Sequence, residues 1–217
     1  SGKDLVIANL ECPLTNSNER IKKNGPNLKG HPKTVNLLEY LNIGVTALAN
    51  NHILDYGEKG LADTLIALKN SGIECVGAGL TEKEAKTPFI KTINGIRICL
   101  INVCEKEFNI LPANKSGANT FEIISLIKQI KEHRKSSDFL ILFYHGGIEN
   151  YKLPTPEMFR MFDFLLENGI DIIVCNHQHV ISGYRSKGRN LIFYGLGNFI
   201  FDWPSIRNND WNYGVMI

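Results

Sequence analysis

Apolar positions divide the chain into short continuous runs and longer stretches in which they recur every third or fourth residue, the signatures of buried strands and amphipathic helices. Asp4 to Ala8 reads as a short buried strand. After a polar loop rich in Asn, Lys and Gly, Thr34 to Leu41 reads as a helix and Ile43 to Leu48 as a second strand. Gly60 to Asn70 carries Leu61, Leu65 and Leu68 at helical spacing, stops at Ser71-Gly72, and is followed by a strand over Glu74 to Gly77. Asn94-Gly95, flanked by Phe89 to Ile93 and Ile96 to Val103, is the strongest hairpin signal and brings in antiparallel strands. Beyond a loop around Pro112 to Gly117 come a helix over Phe121 to Arg134, a strand over Phe139 to Tyr144 and a helix over Pro156 to Asn168. That helix has Met158, Met161, Phe162 and Leu165 on one face and Gly169 at its end. Ile170 to Cys175 is a further strand, Ile181 to Tyr184 with Leu191 to Tyr194 a second candidate hairpin, and Gly214 to Ile217 a strand cut short. With no repeat, linker or low-complexity block, this alternation predicts a layered α/β architecture with mixed sheets.

At 217 residues the chain has room for one domain with a large core, and the expectation is a single domain over 1–217, incomplete at both ends. A hydrophobic share of 43% with 21% charged residues is the composition of a folded protein. Because 24 Lys and Arg stand against 22 Asp and Glu, no global field favours nucleic acid or an anionic membrane, and any anion binding is local. Phe139 to Tyr144 and Ile170 to Cys175, the longest apolar runs, fall far short of the ~18 residues a membrane span needs. The five cysteines, Cys12, Cys75, Cys99, Cys104 and Cys175, are odd in number and lack CxxC spacing, which points to reduced, mostly buried thiols and leans towards a cytoplasmic setting.

The chemistry gathers where apolar runs stop. DLVIANLE ends at Glu11, GVTALANNH at Asn50, Asn51 and His52, FLILFYHGG carries His145, and DIIVCNHQH ends in His177 and His179. Ligand sites of open α/β sheets lie outside the carboxyl ends of strands. Singly, each residue has an ordinary alternative: His145 a hydrogen-bonded structural residue, Glu11 a turn carboxylate before Cys12-Pro13, Asn50 and Asn51 Asx turns. His177 and His179, one residue apart, can reach the same metal from a turn. The coincidence at four strand ends favours a joint role, and a mixed oxygen and nitrogen set suits two divalent ions such as Mn, Zn or Fe.

NLECPLT (Asn9 to Thr15), ALANNHILDYGEKGLADTL (Ala47 to Leu65), GAGLTEKEAKTP (Gly77 to Pro88), CNHQHV (Cys175 to Val180) and FYGLGNFIFD (Phe193 to Asp202) together resemble the CapA-like capsule-biosynthesis (poly-gamma-glutamate synthesis) family, a branch of the calcineurin-type metallophosphoesterases. The resemblance implies a layered αββα sandwich of mixed sheets and a two-metal centre. In it Glu11 bridges the ions, Asn51, His145, His177 and His179 are ligands, and His52 sits beside the reacting phosphoryl group. Asn198 is a family hallmark with a turn or supporting role. The family's earlier strand, ending in a Gly-Asp motif whose Asp is another ligand, has no counterpart before Asp4, so the chain is expected to lack its first strand and to undersupply one ion. Gly146 stands where many relatives have Trp, Asn176 where the superfamily has Gly, and Glu11 where Asp is usual.

The implied reaction is phosphoester hydrolysis, with His52 protonating the leaving oxygen and Asp55 either orienting His52 or capping a helix. The loop from Arg20 to His31 is basic, and Lys22 and Lys23 are either a solvated face or a lip for a phosphorylated or polycarboxylate ligand; Asn50 and Asn198 complete the expected substrate contacts. The expected partners are an anionic small-molecule or polymer substrate and other capsule-synthesis proteins, with no nucleic acid. Two alternatives compete with catalysis: a non-catalytic component of capsule polymer assembly or export that retains the fold, and a merely structural metal. The resemblance places the protein at the cell envelope, against the lean of the cysteines.

Overall fold

The computed structural model describes residues 4–110, 117–201 and 210–217; the loop expected around Pro112 to Gly117 lies, Gly117 aside, outside the described residues. The chain divides into two compact units, Ser1–Ile93 with Ile101–Phe121, and Asn94–Leu100 with Glu122–Ile217.

In the first unit β1 (Ile7–Asn9), β2 (Val45–Ala47) and β3 (Glu74–Val76) form a parallel sheet in that order. Asn9 pairs with Ala47 and Ala47 with Val76, so the three carboxyl ends finish level. A 3-10 turn at Pro32–Thr34 running into α1 (Val35–Tyr40) connects β1 to β2, and α2 (Gly57–Asn70) connects β2 to β3. Of the helical-spacing leucines of α2, Leu61 and Leu68 are fully buried in a core with Leu14, Leu48, Ile53 and Leu54, and Leu65 is partly buried against it. The short α3 (Glu82–Lys86) escaped the periodicity reading; a capping box between Thr81 and Glu84 starts it. β4 (Phe89–Ile93) and β5 (Ile96–Cys104) are joined by Asn94 and Gly95 at φ 50° and 83°, the pair of left-handed residues that a tight hairpin turn demands.

The second unit holds α4 (Ile123–Arg134), β6 (Phe139–His145), α5 (Pro156–Glu167), β7 (Ile172–Asn176), β8 (Tyr184–Lys187) and β9 (Asn190–Phe193). β6, β7 and β9 are parallel, while β8 pairs antiparallel with β9, so the predicted mixture of strand directions is present. α5 buries Met158, Phe162, Leu165 and Leu166, with Phe162 edge-on to Tyr144 and stacked near Tyr194. At the amino ends of the strands, Arg134 donates to the carbonyls of Gly169 and Asp138 (3.0 and 2.9 Å) and pairs with the buried Asp171 carboxylate, which accepts from the Leu140 N–H.

Two expectations need correction. The first strand of the second hairpin is Tyr184–Lys187, not Ile181 to Tyr184; Ile181 only bridges Leu196, and the turn lies at Gly188, φ 63°. Its sequence, YRSK, is polar because Arg185 and Lys187 reach Asp163 on α5, so apolar content misplaced it. Gly214 to Ile217 form no described strand: Gly214 makes an isolated bridge to Gly197, and the Val215 N–H donates to the Leu196 carbonyl at 2.7 Å. Among the described residues no helix is long and apolar enough to cross a membrane.

Candidate functional site

In the first unit the ends of β1 and β2 are tied together by Asn50. Its buried amide donates to the carbonyls of Leu10 (2.9 Å) and Leu48 (3.1 Å) and accepts from the His52 N–H (3.0 Å). Expected to touch substrate, Asn50 instead commits its side chain to the backbone and presents Asn51 and His52 on a fixed turn. Glu11, just beyond β1, accepts from Asn9 Nδ2 at 3.0 Å. Asn102, unremarked in the sequence, is the one amide within the apolar run ICLINVC. It accepts from the Ala49 N–H at 2.7 Å and so steadies the approach to the same turn.

His52 Nδ1 lies 2.7 Å from Asp55 Oδ2, and the Asp55 carboxylate also accepts from the Leu28 N–H at 2.6 Å. Asp55 therefore orients His52. It does not cap α2, whose cap position is Tyr56 with no side-chain bond. A carboxylate with no solvent exposure needs a cation, and Lys23 supplies it: its ammonium pairs with Asp55 and lies 3.1 Å from His52 Nδ1, with its side chain 3% exposed. The basic loop is accordingly held in place, Ile21 N–H and Asn27 Nδ2 both donating to the Asp55 carbonyl. Lys22 is exposed, so the two lysines expected to act alike have different surroundings.

In the second unit three imidazoles gather at the ends of β6 and β7. His145 is buried and ends β6 in register with Asn176, the last residue of β7. The His145 and His177 ring centroids are 5.0 Å apart, those of His177 and His179 6.1 Å. His177 and His179 adopt φ of 107° and 56°, a region that costs residues other than glycine about 1–3 kcal/mol and that folds concentrate at functional turns. Gln178 between them fastens the turn, donating from Nε2 to the Gly146 carbonyl at 2.6 Å and accepting at its own carbonyl from the Asn150 N–H at 2.8 Å.

Asn198 fixes the state of His179. Its Nδ2 donates to the carbonyls of His179 and Trp211, so its Oδ1, 2.9 Å from His179 Nδ1, must accept. The ring proton then sits on Nδ1, and Nε2 carries the lone pair a metal requires. Trp211 and Phe201 enclose the ring, at centroid distances of 4.8 and 5.1 Å. Sequence reasoning missed Trp211; a lone Trp amid Asn and Asp was the available signal.

Chemically these residues fit divalent ions. The second unit offers imidazole nitrogen, and the first offers hard oxygen from Glu11, Asn51 and Asn9, whose buried Oδ1 has no hydrogen-bond partner among the described residues. The cysteines do not contribute: burial raises the Cys175 thiol well above its ordinary value, and burial followed by the neighbouring Glu11 charge lifts Cys12 to about 11, both against thiolate.

The second unit thus places histidines after the ends of parallel strands in a mixed α/β fold, and solved structures share that fold. One is a Staphylococcus aureus protein provisionally described as a 5'-nucleotidase, in complex with alpha-ketoglutarate. It matches with a TM-score of 0.57 at 17% identity over 78% of this chain and 38% of that one, a likeness of fold alone. The family model of the bacterial capsule synthesis protein PGA_cap matches residues 1–203, and the chain belongs to that family. It is 32% identical over 216 residues to the capsule biosynthesis protein CapA of Bacillus anthracis, covering 95% of this chain and 53% of that protein. Against the PGA biosynthesis protein CapA of Bacillus subtilis it is 30% identical over 211 residues, with coverage of 95% and 56%. The chain thus spans about half the length of these curated relatives.

Proposed function

We propose that the chain is a metal-dependent phosphoester hydrolase acting in capsule or poly-gamma-glutamate biosynthesis. Its donors to two divalent ions, drawn from Mn, Zn and Fe, are Glu11, Asn51, His145, His177 and His179. The observation that carries the reading is the strained His177 to His179 turn, with Asn198 setting the proton of His179 on Nδ1. Bound ions would supply Lewis-acid polarisation of phosphoryl oxygens and a water of lowered pKa. His52, turned by Asp55, delivers a proton from Nε2 to the leaving oxygen. Lys23 holds Asp55 in place, and Lys22 is an exposed cation of that loop for an anionic substrate. Asn198 supports His179 in preference to touching substrate.

Elemental analysis joined to hydrolysis of p-nitrophenyl phosphate and its diester tests this. Wild type loaded with manganese should turn over, a His177→Ala/His179→Ala variant should lose both metal and turnover, and His52→Gln should keep metal and lose most turnover. A second reading, non-catalytic support of polymer assembly or export at the cell envelope beside other capsule-synthesis proteins, is favoured by the relatives' names, which speak of biosynthesis. Stoichiometric metal with no hydrolysis of either ester would decide for it.

A further inference from the structure

We infer that Glu149 is a further donor to the ion held by the histidines of the second unit, an inference that rests on the metal-binding reading above. The loop after β6 is fastened to the His177 to His179 turn on both sides of this residue. Gly146 accepts from Gln178 Nε2 at 2.6 Å and donates its N–H to the Asn176 carbonyl at 3.1 Å; Asn150, in left-handed conformation, donates its N–H to the Gln178 carbonyl at 2.8 Å. Glu149 is thereby carried next to the first histidine of the pair, with Oε1 4.0 Å from His177 Nε2.

That separation discriminates between two roles. A charge-assisted hydrogen bond closes to roughly 2.7–2.9 Å, so Glu149 is not simply bonded to the ring. Two donors that each sit about 2.0–2.2 Å from one ion lie roughly 3 to 4.3 Å apart, and the observed gap falls within that span. The charge argument agrees. Neutral imidazoles offset none of a dication's charge, and Glu149 would add a carboxylate to the one proposed for Glu11. The loop's own cation is engaged elsewhere, Lys152 pairing with Asp210 at 2.9 Å. Glu149 is also half exposed, so drawing it onto an ion strips little water that it had not kept.

The test is isothermal titration of the whole chain with Zn and Mn, with the visible spectrum of the Co-loaded form as a readout independent of activity. Wild type, Glu149→Gln, Glu149→Asp and a control, Glu157→Gln on the exposed first turn of α5, are compared, each first checked for an unchanged melt without metal. The expected result is at least about tenfold weaker binding and an altered Co spectrum for Glu149→Gln, partial recovery for Glu149→Asp, and no change for the control. Equal affinity and an identical spectrum in Glu149→Gln, while His177→Ala/His179→Ala abolishes binding, overturns the role of Glu149 alone. No binding by wild type overturns it together with the metal reading.

Discussion

Asn198 shows how one side chain can set the chemistry of another, because an amide oxygen facing Nδ1 dictates where the His179 proton resides. Asn198→Ala should weaken metal binding about 10- to 100-fold by competition against a chromophoric chelator, and Asn198→Asp, which keeps the acceptor, should restore most of it. Loss of the bond to the Trp211 carbonyl adds a stability cost of about 1 kcal/mol in the alanine variant. Lys22 and Lys23 provide a sharper contrast, being adjacent in sequence with one exposed and the other almost wholly covered. Lys23→Met leaves Asp55 buried without its cation and should cost about 3 kcal/mol in urea unfolding, whereas Lys22→Met should stay within about 0.5 kcal/mol of wild type. Equal effects would contradict the division of roles between them.

Elements with a strong period or a fully apolar run were legible in the sequence, and those whose character comes from distant partners were not. β6 and β7 could be read because their largely buried residues run as LILFY and IIVC without a polar break, and β2 because the apolar residues around VTA are buried with it. β8 could not, since its charged residues are satisfied only by Asp163 and Glu167 on α5. α3 is too short to show a period, though its Thr81 and Glu84 spacing was readable. The same holds for the site. Residues at strand ends announced themselves by position, while the backbone role of Asn50 depends on a carbonyl 40 residues away, and Lys23 on a carboxylate beyond the loop. Gly77, just after β3, is a further case. It sits at φ 91°, and a Cβ there would meet Asn102 Oδ1 at 2.1 Å, the oxygen that holds the Ala49 N–H. Gly77→Ala should therefore destabilise the protein by at least about 2 kcal/mol and disturb the Asn51 and His52 turn, read as a lower melting temperature with weaker metal binding.

Across the whole molecule, two kinds of ionisable group bound the pH range of stability, and their signs are opposite. Asp63, bonded to the Thr15 hydroxyl, and Asp163, bonded to Arg185, are held below the ordinary carboxylate value of 3.8. Their contribution is complete above that value and is lost as pH falls through their lower folded values. The thiols act in reverse. Burial, with Glu74 adding, lifts Cys75 from 9.0 to about 11, and burial against the weaker pull of Ser137 and Arg134 does the same for Cys99. The native state then holds protons that the unfolded chain releases, so each thiol's contribution is complete below pH 9 and declines by about 1.4 kcal/mol per pH unit up to pH 11. Urea unfolding measured from acid to alkali should accordingly show a plateau around neutrality, a fall in acid, and a steeper fall between pH 9 and 11. Cys99→Ala shifts the whole curve through its packing loss, but its diagnostic effect is on slope: the alkaline limb should flatten by one proton. An unchanged limb in that variant would mean that Cys99 does not hold its proton in the fold.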